Sequence, residues 1–312
     1  MKIGRIILAV GLGVTYIMSG ILKMNPIEYL ENDILRYGLG NEWTVLFQSR
    51  FIIGSEFIIG AFIAFQLFLK RTIRVSYVFL AIYTLYLLYV IIVHGNNSNC
   101  GCFGQSIQMT PWQGVFKNVV IFFLTYFLAK IAEEKSTVPK WKRVVAISGI
   151  VVGLVLPYIL YRADFPVTTS QRIEQDITVS LDLLYNDESF NTPGVDLRQG
   201  KHIVVFATLK CSRCIMTVNK LEVLKRNNPA LPIYLVLNGE ESDFEQFKMK
   251  TQLTSIPYAF FNDGDTLVKI CGNSFPEVML LNDSKLWSSI GYTELNDVNL
   301  MSWLKEQAVD VQ

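Results

Sequence analysis

The sequence predicts a membrane α-helical bundle followed by an α/β domain, and three observations carry that prediction. Long apolar runs gather before residue 162, residues 163–312 have the mixed composition of a globular domain, and four of the five cysteines form two close pairs, one in each half. The chain has 312 residues, is 51% hydrophobic and 18% charged, and has a net charge of +1 and a mean hydropathy of +0.33. That balance points to a lipid bilayer and away from nucleic acid. Two domains are expected, a transmembrane one at 1–162 and a soluble one at 163–312.

A spanning helix needs about 20 mostly apolar residues, and five stretches qualify: 6–22, 51–69, 75–93, 109–129 and 144–161. The first follows Lys2 and Arg5, as a signal peptide would. No small-x-small cleavage site follows it, so a retained helix is expected. The fourth carries Lys117, and its outer turn is expected in the interface with Trp112 as anchor. Counting five helices puts Lys2 and Arg5, then Lys70, Arg71 and Arg74, then Lys130, Lys135, Lys140, Lys142 and Arg143 on one side. The positive-inside rule makes that side cytoplasmic. The loop from His94 to Pro111, which has no Lys or Arg, and the whole C-terminal domain then face out. The expected location is a bacterial inner membrane with a periplasmic C-terminal domain, where disulfides persist.

In the soluble half, a β-rich run at 202–208 leads into Lys210-Cys211-Ser212-Arg213-Cys214, and residues 215–226 have helical spacing. A strand at 231–237 follows, then a helix from the acidic start Glu240-Glu241-Ser242-Asp243 to about Gln252. Phe275-Pro276 precedes a strand at 277–281, a turn at 282–285, a strand at 286–290 and a last helix at 296–307. This order resembles the thioredoxin fold. The pair lacks the Trp and Gly-Pro of thioredoxin itself and is more similar to periplasmic domains related to TlpA.

Placing Cys211 at a helix N-terminus favours its thiolate, and Lys210 and Arg213 add positive charge. Cys214, one turn on, can then resolve a mixed disulfide formed at Cys211. A disulfide that only staples the domain is the blander reading; a zinc site would need more ligands than His94 and His202 supply. In this fold a proline with a cis bond normally stands opposite the dithiol. Pro276 is preferred over Pro257, because a hairpin and one helix still follow it. Cys271 reads as a small buried hydrophobe, with an intermolecular disulfide as the alternative.

Ser19-Gly20-Ile21-Leu22-Lys23, then Arg50, Glu56 and Gly60, then Asn99-Cys100-Gly101-Cys102-Phe103-Gly104 resemble the MauE/DoxX family of four-helix redox-associated membrane proteins. The resemblance covers roughly residues 1–130 and leaves a fifth helix that returns the chain to the outer side. In that family MauE is associated with maturation of the disulfide-rich methylamine dehydrogenase small subunit, which implies thiol–disulfide chemistry here. A disulfide between Cys100 and Cys102 would close a very small ring and be readily reduced, and Gly101 and Gly104 supply the backbone freedom such a loop needs.

Glu56 lies inside an apolar run, where a carboxylate must be paired or face a polar cavity. It is a candidate for binding a membrane quinone headgroup or moving protons, and packing against Arg50 or Lys117 is the alternative. Ser19, Gly20, Gly54 and Gly60 read as small residues at helix contacts. The expected function is a membrane-bound thiol–disulfide oxidoreductase for periplasmic thiol or disulfide client proteins. Cys211 and Cys214 exchange with clients and, across a hinge at 163–170, with Cys100 and Cys102, Cys100 being the attacking sulfur of the membrane pair. Because no cysteine is expected on the cytoplasmic side, import of reducing equivalents through the chain is disfavoured. The rival reading is a non-catalytic assembly factor that holds a client.

Overall fold

The computed structural model describes residues 2–96, 100–105, 107, 109–132, 139–161, 177–185 and 195–306. The expected hinge at 163–170, Asn99 of the Cys-Gly-Cys string and Lys135 lie outside these residues. The chain divides into two compact units, Met1–Ala163 and Asp164–Gln312.

In the first unit the elements are α1 (Lys2–Lys23), α2 (Glu28–Arg36), α3 (Thr44–Ala64), α4 (Leu69–His94), the short strand β1 (Cys102–Gln105), α5 (Pro111–Ile131) and α6 (Lys140–Leu160). Among the described residues, five helices are long and apolar enough to cross a membrane: Ile3–Lys23, Thr44–Ala64, Leu69–Val93, Pro111–Ile131 and Lys140–Leu160. Large apolar side chains such as Ile7, Phe51, Ile92 and Ile159 stand exposed around the bundle, as lipid-facing residues do.

The second span starts earlier and ends earlier than its apolar run. Asn41 Oδ1 accepts hydrogen bonds from the amides of Trp43 and Thr44 at 3.0 and 2.9 Å, which begins the helix inside a polar stretch. The left-handed residues Gln66 and Phe68 end it. The fourth span is a regular helix: Thr110 and Gln113 form a capping box, with Pro111 in the first turn. Small residues let backbones meet. A Cβ on Gly60 would lie 2.7 Å from the carbonyl of Gly13, and one on Gly54 would lie 2.7 Å from that of Gly153.

α2 had no counterpart in the sequence expectation, which read residues 23–50 only as a segment of mixed charge. Its acidic side chains point inward. Glu31 takes Arg50 Nη1 at 2.7 Å with the guanidinium side chain 2% exposed, and Arg50 Nη2 also donates to Tyr161 O at 3.3 Å.

The second unit contains α7 (Asp182–Tyr185), β2 (Lys201–Thr208), α8 (Ser212–Asn227), β3 (Ile233–Asn238), α9 (Glu241–Thr251), β4 (Tyr258–Phe260), α10 (Gly264–Cys271), β5 (Glu277–Asn282), β6 (Lys285–Ser289) and α11 (Asp297–Lys305). The sheet order is β4-β3-β2-β5-β6. β2, β3 and β4 run parallel, whereas β5 and β6 run antiparallel to their neighbours. That is a thioredoxin-like sheet, with the Cys-x-x-Cys segment between β2 and α8. β4 and α10 are additions absent from the sequence expectation. The three-residue β4 forms one edge; outside β6, the amide of Val179 bonds to Ser284 O and the amide of Leu286 to Ile177 O, both at 2.8 Å. Val204, Phe206, Val236 and Leu281 fill the core on one face of the sheet.

Candidate functional site

In the second unit β2, buried from Ile203 to Ala207, delivers the chain to Thr208, and the dithiol lies where strand turns into helix. Cys211 is the N-cap of α8, in extended conformation, and its sulfur accepts the amide of Cys214 at 3.2 Å. The helix N-terminus therefore points an N–H at this sulfur. Cys211 is half-buried, whereas Cys214 has no exposed surface. Burial, reinforced by the Cys211 hydrogen bond, pushes the Cys214 thiol up to about 12, and Thr208 Oγ1 lies 3.9 Å from its sulfur.

Pro276 follows a cis peptide bond from Phe275, and Cys211 Sγ lies 3.8 Å from Phe275 O. Pro257 opens β4 instead: its carbonyl accepts the amide of Leu235 at 3.0 Å. One expectation changes. The Lys210 ammonium is engaged by Asp243 at 2.9 Å, so its charge is largely answered by α9. Cys271 ends α10 inside the core, with its sulfur 3.1 Å from Leu267 O, and burial raises it to about 12.

In the first unit, Cys100 and Cys102 are 2% and 0% exposed. They sit with Leu87, Tyr83, Tyr86, Met109 and Val115 in an apolar pocket. Gly114 of α5 forms its floor, where a Cβ would come 2.9 Å from Cys102 Sγ and 3.2 Å from Cys100 Sγ. Gly101 and Gly104 have φ of 64° and 62°, the left-handed region that glycine enters without strain. All five cysteines are thiols in this structure. The amide of Cys102 donates to Cys100 Sγ at 3.3 Å. A hydrogen bond between the two sulfurs holds Cys102 down at about 7 and drives Cys100 up. On those directions Cys102 is the readier thiolate of the pair.

Glu56 is paired with neither Arg50 nor Lys117. Its Oε1 takes Lys23 Nζ at 2.5 Å and Ser19 Oγ at 3.0 Å, and Ser19 Oγ lies 3.1 Å from Cys102 O. Ser19, expected only as a small packing residue, therefore ties α1 and α3 to β1. Lys23 also stands 5.1 Å from the Tyr83 ring centroid, while Lys117 lies 4.6 Å from that of Phe103. Among the described residues Glu56 Oε2 is buried without a hydrogen-bond partner. Glu56 borders a cavity shared with Tyr16, Ser19, Lys117 and Asn118, with ≈ 20 Å³ of room for water.

Sequence reasoning missed Asp33. It sits on α2, is 4% exposed, and its Oδ2 would meet a Cβ on Gly101 at 2.7 Å. Burial pushes its carboxyl up to about 7, against the pull of Arg36. The available signal was the spacing of Tyr29, Leu30 and Ile34, which marks a short amphipathic helix.

Comparison with known proteins matches the first part of the chain to a family and a stretch of 120 residues to a curated relative. Residues 1–131 match the family model of methylamine utilisation protein MauE. Protein TlpB of Flavobacterium psychrophilum is 37% identical over 120 residues, which are 36% of this chain and 33% of that protein; the chain thus spans about a third of the length of the curated relative it matches. A solved structure of a secreted Mycobacterium tuberculosis disulfide oxidoreductase homologous to E. coli DsbE overlaps 33% of this chain and 81% of its own, at 14% identity and a TM-score of 0.28. That overlap is too slight to carry weight, and the thioredoxin-like assignment stands on the strand order.

Proposed function

We propose that this chain, a MauE domain at residues 1–131 ahead of a thioredoxin-like domain, is a membrane-bound thiol–disulfide oxidoreductase acting on periplasmic client proteins. The observation that carries the proposal is Cys211 as the N-cap of α8, its sulfur taking the Cys214 amide at 3.2 Å and standing 3.8 Å from the carbonyl that precedes Pro276. That geometry sets a half-exposed sulfur, with an N–H aimed at it, above a buried and protonated partner.

With a client disulfide, Cys211 attacks one sulfur, the client S–S bond breaks and its other sulfur leaves as a thiolate. Cys214 then gives up its proton, attacks Cys211 Sγ and frees the client as a dithiol. The reverse sequence oxidises a client dithiol. Cys100 and Cys102 are the second redox pair, exchanging two electrons and two protons with Cys211 and Cys214, with Cys102 as the attacking sulfur. The Lys/Arg bias of the connecting segments supports an inner-membrane topology with the N-terminus cytoplasmic and both pairs outside.

Turnover tests the reading against that of a stoichiometric holder. Purified full-length protein cycles many equivalents of a disulfide substrate in a glutathione buffer, and Cys211→Ala abolishes this; one equivalent or fewer per chain overturns the enzyme. For the relay, a Cys100→Ala, Cys214→Ala double variant accumulates a Cys102–Cys211 bridge, read by peptide mapping. Its absence in a protein whose wild type turns over means that the two pairs serve separate partners. A periplasm-only reporter fused after Phe165 is active, and one fused after Arg74 is silent; the opposite pattern overturns the orientation.

A further inference from the structure

Two buried carboxylates approach the Cys100-Gly101-Cys102 segment from different elements, and their surroundings differ. Glu56 reaches it indirectly, through Ser19 to the carbonyl of Cys102, and its Oε1 is fixed by Lys23 at 2.5 Å. Asp33 packs directly on the segment, against the residue between the two sulfurs. Its Oδ2 occupies the place a side chain at position 101 would need, 2.7 Å from the Cβ position, so the closeness of this carboxyl requires Gly101 as much as its φ of 64° does. A thiol pair sealed in an apolar pocket needs a nearby group to take and return its protons. When two titratable groups share a site, the one left free to change charge is the one suited to that task.

We propose that Asp33 is the proton-exchanging carboxyl of the Cys100/Cys102 pair. This rests on the redox reading of that pair given above. When Cys102 attacks a partner disulfide, its thiol proton passes to the Asp33 carboxylate. The new S–S bond joins Cys102 to one partner sulfur, and the other leaves as a thiolate and takes the proton from Asp33. The Cys100 thiol then gives up its proton by the same route, attacks Cys102 Sγ and releases the second partner thiolate, which is protonated in turn. Two electrons and two protons leave the pair, and both appear on the partner dithiol. Burial, which places Asp33 at about 7, equips it to gain and lose a proton at neutral pH. Among the described residues, the other charged or titratable groups around the pair and Asp33 include Tyr29 and Arg36 on α2, Tyr37 just after it, Lys23 on α1, Glu56 on α3, Tyr83 and Tyr86 on α4 and Lys117 on α5. Lys23 and Glu56 neutralise each other.

The test is the infrared difference spectrum between reduced and oxidised full-length protein carrying Cys211→Ala and Cys214→Ala, so that only the membrane pair cycles. S–H bands report the pair, and the carboxylic-acid C=O band reports Asp33. A thiolate beside Asp33 raises its proton affinity, so the C=O band grows on reduction at neutral pH. It vanishes in Asp33→Asn, shifts in Asp33→Glu, and persists in the Lys23→Met, Glu56→Met double variant. No C=O change beside a clear S–H change overturns the role of Asp33 while leaving the redox pair standing, and this result is read on the parent protein, whether or not the asparagine variant folds. A C=O change that survives Asp33→Asn overturns it as well. An S–H region that stays constant overturns the redox pair and the role of Asp33 together.

Discussion

Removing one partner of the Lys23–Glu56 ion pair separates a structural carboxylate from a cofactor ligand. The two side chains are 0% and 5% exposed and meet at 2.5 Å, so Glu56→Leu strands an ammonium in the bundle interior. Breaking a buried pair this way costs about 3–5 kcal/mol, which shifts the folding equilibrium by roughly two to three and a half powers of ten at about 1.4 kcal/mol per decade. Replacing both partners, Lys23→Met with Glu56→Met, removes the stranded charge and returns most of the loss, because well-packed apolar substitutes of similar volume are often neutral or better. The assay is unfolding of the purified protein in mixed micelles of rising denaturing-detergent content, followed by far-UV circular dichroism. Glu56→Leu within about 1 kcal/mol of wild type, well below the range for breaking a buried pair, would refute the reasoning. So would a double variant no more stable than the single one.

Three further predictions concern the thiols. Gly114→Ala brings a methyl 2.9 Å from Cys102 Sγ and from Leu87 Cδ1; it should destabilise the first unit by about 1–3 kcal/mol and change the alkylation rates of both membrane cysteines, and an unchanged rate refutes the packing. Cys214, held at about 12, is thiolate in roughly one molecule in ten thousand at pH 8, so mass spectrometry after brief alkylation finds Cys211 labelled first, and Cys214→Ala traps client mixed disulfides where Cys211→Ala does not. The folded state also keeps the Cys214 proton after an unfolded chain has lost it. Stability of the reduced domain therefore falls as pH rises from about 9 towards 12, by about 1.4 kcal/mol per unit, and Cys214→Ala removes that contribution in chemical denaturation run across the window.

The parts of the fold legible in the sequence were those written in local pattern. The five apolar runs, the strand before Cys211 and the hairpin after Pro276 each declare themselves within a dozen residues. What stayed hidden depends on partners far along the chain. A hydropathy reading begins α3 at Phe51, because Ser49 and Arg50 look like loop residues; both are buried, and Glu31 makes that possible. Glu56 was rightly marked as anomalous, yet its partner Lys23 lies 33 residues away, and spacing alone could not choose it over Arg50 or Lys117. Asp33 looked like one more charge in a mixed segment until Gly101 was placed against it. β4 escaped because three residues are too few for an alternation of two to register.

The borders of the sheet bear on life at a membrane. A domain carried on the same chain as five apolar helices is confined to a layer, so copies meet far more often than in free solution, on the reasoning that links tethering to effective concentration. An open strand under such crowding is a template for pairing with the next copy. Here one border is a strand of three residues, and the other is already occupied by the segment around Thr178, which bridges to Lys285. Among the described residues neither offers a long row of vacant amides, so crowded neighbours are denied a register in which to stack.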